Sequence, residues 1–129
     1  MNNDRFKFLV WDKAEKYYGG FPFHLSQFGE LEMVSVDGTL LDTDSNRYVV
    51  EQCTGLKDKN GKLIFEGDIV LIDKGDDCFE EREVSWYDFQ SCLCFKMEIG
   101  KMTSYQRLGS VSSKNVEIIG NIHEIEVEK

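Results

Sequence analysis

The stretch YVVEQCTGLKDKNGKLIFEGDIVLI, residues 48–72, constrains this chain more than any other part of it. Branched and aromatic residues over 48–53 predict a strand, and Asn60-Gly61 predicts a tight turn because that pair accepts the positive φ of hairpin turns. Residues 63–65 read as the returning strand. Gly67-Asp68 then marks a corner before a buried strand over 69–72. Two strands, a turn and a corner in so short a span commit this region to a mainly β fold.

Length and charge set the bounds. At 129 residues and 14.9 kDa the chain fits one domain, with sub-lobes read at 1–46 and 47–129 on either side of the polar joint DTDSNR. A domain of this size buries close to ~70% of its unfolded surface, so it needs no disulfide or metal to fold. The net charge is −9, from 24 acidic and 15 basic residues. Through Asn46 there are four basic and eight acidic residues, leaving eleven and sixteen, so neither half offers a basic face. A field of this sign repels phosphate backbones and anionic membranes, which argues against nucleic-acid and membrane partners. Lys57, Lys59 and Lys62 on the turn make either a local basic contact or a solvated hairpin tip. The N-terminus MNNDRFKF lacks a signal-peptide core, and no apolar run approaches the ~18 residues that span a bilayer. A cytoplasmic protein is expected, with Cys53, Cys78, Cys92 and Cys94 as reduced thiols.

The rest of the chain reads as short strands between turns. RFKFLVW, residues 5–11, is a first strand, and residues 15–18 pair back on it before Gly19-Gly20. Pro22, the only proline, excludes a central strand position around itself. Leu25, Phe28 and Leu31 are spaced for a turn or two of helix over 24–31, with Ser26 able to cap it. Residues 33–36 and 39–41 flank Asp37-Gly38 as a hairpin with a type I′ turn. Residues 73–83 carry six acidic residues around Gly75 and predict an exposed loop. Residues 83–87 and 92–99 form another hairpin, with Trp86, Phe89 and Phe95 available for cross-strand packing. A short strand follows near 105–108, and 116–127 is a last strand interrupted by Gly120-Asn121. Turn signals every ~8–12 residues are the pattern of a small barrel or sandwich.

These fragments together resemble the YopX family of phage and prophage proteins. Thr54-Gly55-Leu56, Asp58 and Gly61 match a T-G-L-x-D-x-x-G segment that leads through a short strand into Glu66-Gly67-Asp68-Ile69-Val70. Lys7, Phe8, Trp11 and Asp12 match an early K-F-x-x-W-D segment. Val84, Trp86 and Phe89 match a third, and residues 117–124, with Gly120-Asn121, match a closing E-I/V-I-G-N-I-x-E. The resemblance spans nearly the whole chain in the family's order. Cys53 departs from it, standing where the family often has an aromatic residue. It implies a mainly β protein, a small N-terminal β lobe with one short helix plus a C-terminal SH3-like β-barrel, in a cytoplasmic protein of phage or prophage origin. It implies no activity, since the family is one of unknown function. Its signature positions here are Trp11, Thr54, Gly55, Gly61, Glu66, Gly67, Asp68, Gly120 and Asn121.

Motif chemistry adds nothing firm beside this. Cys92 and Cys94 share one face of a strand with Cys78 nearby in sequence and His123 as a conceivable fourth ligand, but no C-x₂-C pair exists at finger spacing. Residues 42–46 begin like a calcium loop, yet Arg47 stands where its glycine belongs and Cys53 where its glutamate belongs. His24 and His123 have no nucleophile motif beside them, although a Cys53–His24 pair is open to being formed in space. Gly19-Gly20 and Gly109 lack the partners of a phosphate loop. Asp68 reads as an acceptor of backbone N–H groups at the start of a buried strand. GDIV is similar to the opening of RNA-cutting toxins built on small barrels, over four residues only, and that supports a fold analogy alone.

No catalytic, cofactor or metal residues are therefore assigned. The expected function is a non-enzymatic binding or assembly module, a homo-oligomer held partly by aromatics within 21–28, acting on a phage or host protein. One alternative is an RNA-binding or RNA-processing barrel using Lys57, Lys59, Lys62, Glu66 and Asp68. Another is an acidic mimic of nucleic acid that occupies a host protein.

Overall fold

The structure, a computed structural model, describes residues 4–19, 23–28, 30–35, 37–41, 46–88 and 90–127. It is mainly β. The chain divides into two compact units, one of Leu9–Glu51 and one of Met1–Phe8 with Gln52–Lys129. Of the joint read at 42–47, residues 42–45 lie outside the described residues, as do Pro22 and Phe89.

The unit of Leu9–Glu51 is built from hairpins. β1 (Phe8–Asp12) pairs antiparallel with β2 (Tyr17–Tyr18), Trp11 opposite Tyr18. Asp12 starts the turn between them by accepting the amides of Ala14 and Glu15 on Oδ1. β3 (Phe23–Leu25), β4 (Leu31–Val34) and β5 (Leu40–Leu41) form a three-stranded sheet in that order. The helix expected over 24–31 is replaced by the β3–β4 hairpin, in which Leu25 and Leu31 are direct partners. Ser26 caps a loop rather than a helix: its hydroxyl accepts the amides of Phe28 and Glu30, and its own amide donates to the Glu30 carbonyl. Eight residues with Gly29 among them cannot repay helix nucleation, whereas a hairpin joins residues already adjacent. The Asp37-Gly38 hairpin forms as expected, but Gly38 alone takes positive φ (89°), so the loop is not type I′. Its amide donates to Ser35 O while Asp37 Oδ1 accepts Thr39 N.

Aromatic edges pack this small unit. The Trp11 and Tyr18 rings meet T-shaped at 5.0 Å, and Phe23 and Tyr48 at 5.4 Å. Arg47 closes a fork on buried Asp12, Nε to Oδ1 at 2.9 Å and Nη2 to Oδ2 at 2.8 Å. β6 (Tyr48–Lys57) then carries the chain into the second unit.

In the larger unit β6 pairs with β7 (Leu63–Phe65), Cys53 opposite Phe65, with an irregularity around Gly55. A five-stranded antiparallel sheet follows. It contains β8 (Asp68–Gly75), β9 (Cys78–Tyr87), β10 (Cys92–Ile99), β11 (Met102–Arg107) and β12 (Val116–Asn121), in the order β11-β10-β9-β8-β12. The sheet curls as a half-barrel. The loop expected over 73–83 is instead the β8–β9 hairpin. Asp76 and Asp77 both take positive φ (52° and 58°) in a two-residue turn, a conformation that aspartate tolerates. The run is exposed at its tip, and Glu80, Glu81 and Glu83 ladder opposite Ile72, Leu71 and Ile69. Between β11 and β12 two 3₁₀ turns, Leu108–Ser110 and Ser113–Asn115, bring Leu108 and Val111 onto the core.

That core consists of Ile64, Val70, Ile72, Val84, Phe95 and Val116. The register explains it, with Val84 opposite Phe95, Ile72 opposite Val116 and Val70 opposite Ile118. Each buried side chain of this size contributes about 1.5–3 kcal/mol. Trp86 lies opposite Leu93 and stays 44% exposed, whereas Phe95 is buried; Phe89, the third aromatic expected to pack, lies outside the described residues. The strand expected over 116–127 ends at Asn121, and α1 (Ile122–Val127) follows. Asn121 Oδ1 accepts the amides of His123 and Glu124, an N-cap that turns the chain out of the sheet.

Acid tests the Arg47–Asp12 fork. The Arg47 guanidinium, helped by the Glu15 and Ala14 amides against the opposing effect of burial, holds the Asp12 carboxyl at about 2 rather than 3.8. A pKa depressed in the folded state stabilises fully above the unfolded value and is lost as pH falls through the folded one. Asp12→Asn is therefore expected to melt below wild type near neutral pH, and the gap is expected to close between about pH 4 and about pH 2. A gap that stays constant down to pH 2 overturns this assignment.

Candidate functional site

Eight of the nine signature positions lie in the larger unit, and most of them serve the backbone. Thr54 donates its hydroxyl to Ile64 O (2.8 Å) and accepts Leu56 N. The Gly55 amide donates to Cys53 Sγ at 3.4 Å. Gly61 takes φ 81° where the turn requires it and donates to Asp58 O. Glu66 and Gln52 bond reciprocally: Glu66 N donates to Gln52 O at 2.8 Å, and Gln52 N to Glu66 Oε1 at 3.3 Å. Trp11, in the smaller unit, is 4% exposed against Tyr18.

The remaining four meet in one joint. Gly67, at φ 90°, donates its amide to Val84 O and accepts Ile122 N on its carbonyl, at 2.8 and 2.9 Å. Asp68 Oδ2 accepts Phe65 N at 2.8 Å. Asp68 stands opposite Asn121 in the ladder, and Gly120 opposite Ile69. The corner before β8, the end of β12 and the cap of α1 are thus one hydrogen-bonded unit. Gly120 is the least constrained member. A Cβ there would lie 2.6 Å from Glu124 Oε2, the tip of a flexible side chain.

Asp58 is the residue whose weight sequence reasoning missed. It is 4% exposed. Oδ1 accepts Asn60 N (3.0 Å) and Lys62 N (2.9 Å), and Oδ2 accepts Ile118 N (3.1 Å), sixty positions away in the sequence. Burial disfavours its charge, but the amides of Ile118, Lys62 and Asn60 outweigh that and hold the carboxyl below its usual range. Lys59 N donates to Val116 O at 2.8 Å. The D-x-x-G spacing of the turn signals the local bonds; nothing local signals Ile118.

The groups considered for chemistry are placed as follows. Lys59 Nζ pairs with Glu117 at 2.9 Å, and Lys57 and Lys62 are exposed. Cys92 and Cys94 bring their sulfurs to 3.5 Å, with Cys94 buried and its thiol pushed up by that burial and by Cys92. Among the described residues no three His, Cys, Asp or Glu side chains converge as metal ligands, so Cys78 and His123 do not join that pair. Cys53 is buried, and His24 lies 3.5 Å from Glu32. A shallow groove of about 190 Å³, lined by Ile69, Glu81, Glu83, Lys96 and Glu98 among others, runs along the sheet.

The two edges of the sheet differ. The outer side of β12 is occupied by the 58–59 turn through Val116 O and Ile118 N. β11 pairs with β10 over six positions, Cys94↔Arg107 to Ile99↔Met102, and no strand pairs with its other side among the described residues. Met102 is 77% exposed, Thr103 and Ser104 are exposed, and Tyr105 stacks on Tyr87 at 3.9 Å. Ser110 Oγ donates to Arg107 O, closing the end of the edge.

Asp58→Ala is expected to lower unfolding free energy by about 2–4 kcal/mol, because three amides lose a buried charged acceptor. Gly120→Ala is expected to stay within about 0.5 kcal/mol of wild type, since Glu124 can swing away. Urea midpoints measure both; an unchanged midpoint for Asp58→Ala overturns its central role.

The fold and the joint can be set beside known proteins. The family model described as YopX protein matches residues 7–125. The crystal structure of protein EF1440 from Enterococcus faecalis is 26% identical, covering 93% of this chain and 94% of that one with a TM-score of 0.55. The crystal structure of protein yopX from Bacillus subtilis is 22% identical and shows likeness of fold, covering 91% of this chain and 92% of that one with a TM-score of 0.57. No curated protein matches the chain. With the family match running over all but its ends, the chain belongs to the YopX family, a family of uncharacterised proteins.

Proposed function

We propose that the chain is a non-enzymatic binding or assembly module of phage or prophage origin, working in the cytoplasm, that takes a partner as an added strand along β11. One observation carries the reading: of the two edges of the five-stranded sheet, β12 is covered by the Asp58 turn, and among the described residues β11 is left open. An open edge presents N–H and C=O groups in a row, which an extended segment satisfies by strand addition. The signature residues support a binding rather than a catalytic role, since they spend their polar atoms on the backbone joint. The RNA reading is weaker because Lys59 is engaged by Glu117 and Asp68 holds the corner.

Backbone amide exchange checks this reading. With a cognate partner bound, the amides of β11 are expected to gain protection while those of β12 do not change. Protection elsewhere with β11 unchanged overturns the edge as the binding surface.

A second reading concerns self-association. Phe28 is 80% exposed and Leu25 37% exposed at the β3–β4 hairpin. Part of the 21–28 segment expected to hold an oligomer lies outside the described residues. Light scattering over a dilution series is expected to show a concentration-dependent oligomer that Phe28→Ser weakens. A monomer at every concentration overturns it.

A further inference from the structure

We infer that the β11 edge is built for an acidic extended segment of a partner protein; the inference rests on the strand-addition reading above. The chain has 24 acidic residues, yet none falls between Glu98 and Glu117, where Lys101, Arg107 and Lys114 stand. β11 lies inside this acid-free stretch. Six cations elsewhere are neutralised locally, Lys7 by Asp4, Arg47 by Asp12, Lys59 by Glu117, Lys74 and Arg82 by Glu80, and Lys96 by Glu98, while Lys57 and Lys62 are exposed on a turn that also carries Asp58. Lys101 and Arg107 form no ion pair among the described residues. The carboxylate nearest in register, Glu98 opposite Thr103, is taken by Lys96 at 3.2 Å.

Geometry narrows the ligand. Side chains alternate along a strand, so Thr103, Tyr105 and Arg107 share a face, and Lys101 stands in the turn that precedes the strand. Lys101 and Arg107 bracket the strand, which runs about 17 Å from Met102 to Arg107 at a rise of ~3.3 Å per residue. A segment laid antiparallel along β11, its first residue opposite Arg107, would place acids at its first and seventh positions beside these cations. An apolar residue at its third position would meet Tyr105, whose ring is already stacked on Tyr87. The four middle residues of the strand, Thr103 to Gln106, carry no charge.

Other occupants fit less well. A nucleic acid has no alternating amide edge to pair with, and the charge of −9 repels its backbone. A second copy of β11 would bring the same two cations and no carboxylate. The net charge also opposes an acidic partner from afar, but at physiological salt charges beyond about 8 Å are screened, so the local sign decides the contact.

Labelled nonapeptides test the inference by fluorescence anisotropy: one with Glu at positions 1 and 7 and Tyr at position 3, the other with Gln in place of each Glu. The acidic peptide is expected to bind roughly twofold to thirtyfold tighter, the gain from two exposed ion pairs, and to lose that advantage at high salt. The double variant Lys101→Glu with Arg107→Glu is expected to abolish the preference, and Lys101→Arg with Arg107→Lys to keep it, with circular dichroism confirming that both fold. Equal binding of the two peptides overturns the charge claim and leaves the edge reading intact. So does failure of both to bind while β11 amides become protected as protein concentration rises, since the occupant is then a second copy. No binding and no β11 protection under any condition overturns both.

Discussion

The larger unit depends on one buried carboxylate. Asp58 sits at a hairpin tip, where a charged side chain would ordinarily be solvated, and it is 4% exposed because the tip folds against β12. Its three amide bonds do different work. Those to Asn60 and Lys62 shape the turn, and the one to Ile118 fixes where that turn rests. A buried charge is costly unless fully bonded, so the alternatives in which the turn swings away, or β12 slips by a residue, leave either the carboxylate or the Ile118 amide without a partner. Hydrophobic contacts alone would not choose between neighbouring registers so sharply. Val116 and Ile118 face the core only in the register that Asp58 selects.

The joint at Gly67 does the same at the other end of β12. Gly67 donates to β9 and accepts from the start of α1, while Asp68 and Asn121 stand opposite each other. Chain ends of a curled sheet are where strands fray, and here both ends of β12 are fixed by side chains or backbone from residues 58–68. A compact run of sequence thereby organises a strand sixty residues away. This accounts for a family signature dense in glycine, aspartate and asparagine: such residues supply positive φ, accept amides and cap helices.

The sequence was legible where bonds are local. The 48–72 hairpin and corner, the β1–β2 and β9–β10 hairpins and the mainly β class all follow from turn chemistry and alternation, and the resemblance named the family. It misled where two local patterns compete. Leu25, Phe28 and Leu31 satisfy a helical spacing, yet Leu25 and Leu31 are also placed for a hairpin, and tertiary pairing chose the latter. Asp73 to Glu83 looks like a loop by charge, but Asp76-Asp77 accepts a type I′ turn and the flanking residues ladder. After Asn121 the alternation of the closing stretch is strand-like, and the cap overrides it. The difference between the sheet's edges was illegible, because what covers β12 comes from the other end of the sequence.

That difference bears on how an acidic protein manages its strands. Edges are commonly blunted by charge, proline, bulges or a covering segment. β12 has both a covering turn and an irregularity between Ile118 and Gly120. Among the described residues β11 has neither, and its one charge, Arg107, stands at its end, with Lys101 in the turn before it. If Lys101 and Arg107 served simply to prevent aggregation, one would expect a charge in the middle of the strand, where it disrupts pairing most, rather than five uncharged residues between two cations. Surface acids are plentiful enough in this chain that eighteen consecutive residues without one, at 99–116, make the local sign of the edge a feature of the strand and its flanks and not of the chain as a whole. An edge that is open in the middle, positive at both ends and set in an otherwise negative chain discriminates by charge while leaving its backbone available, and those are the two properties that selective strand addition requires.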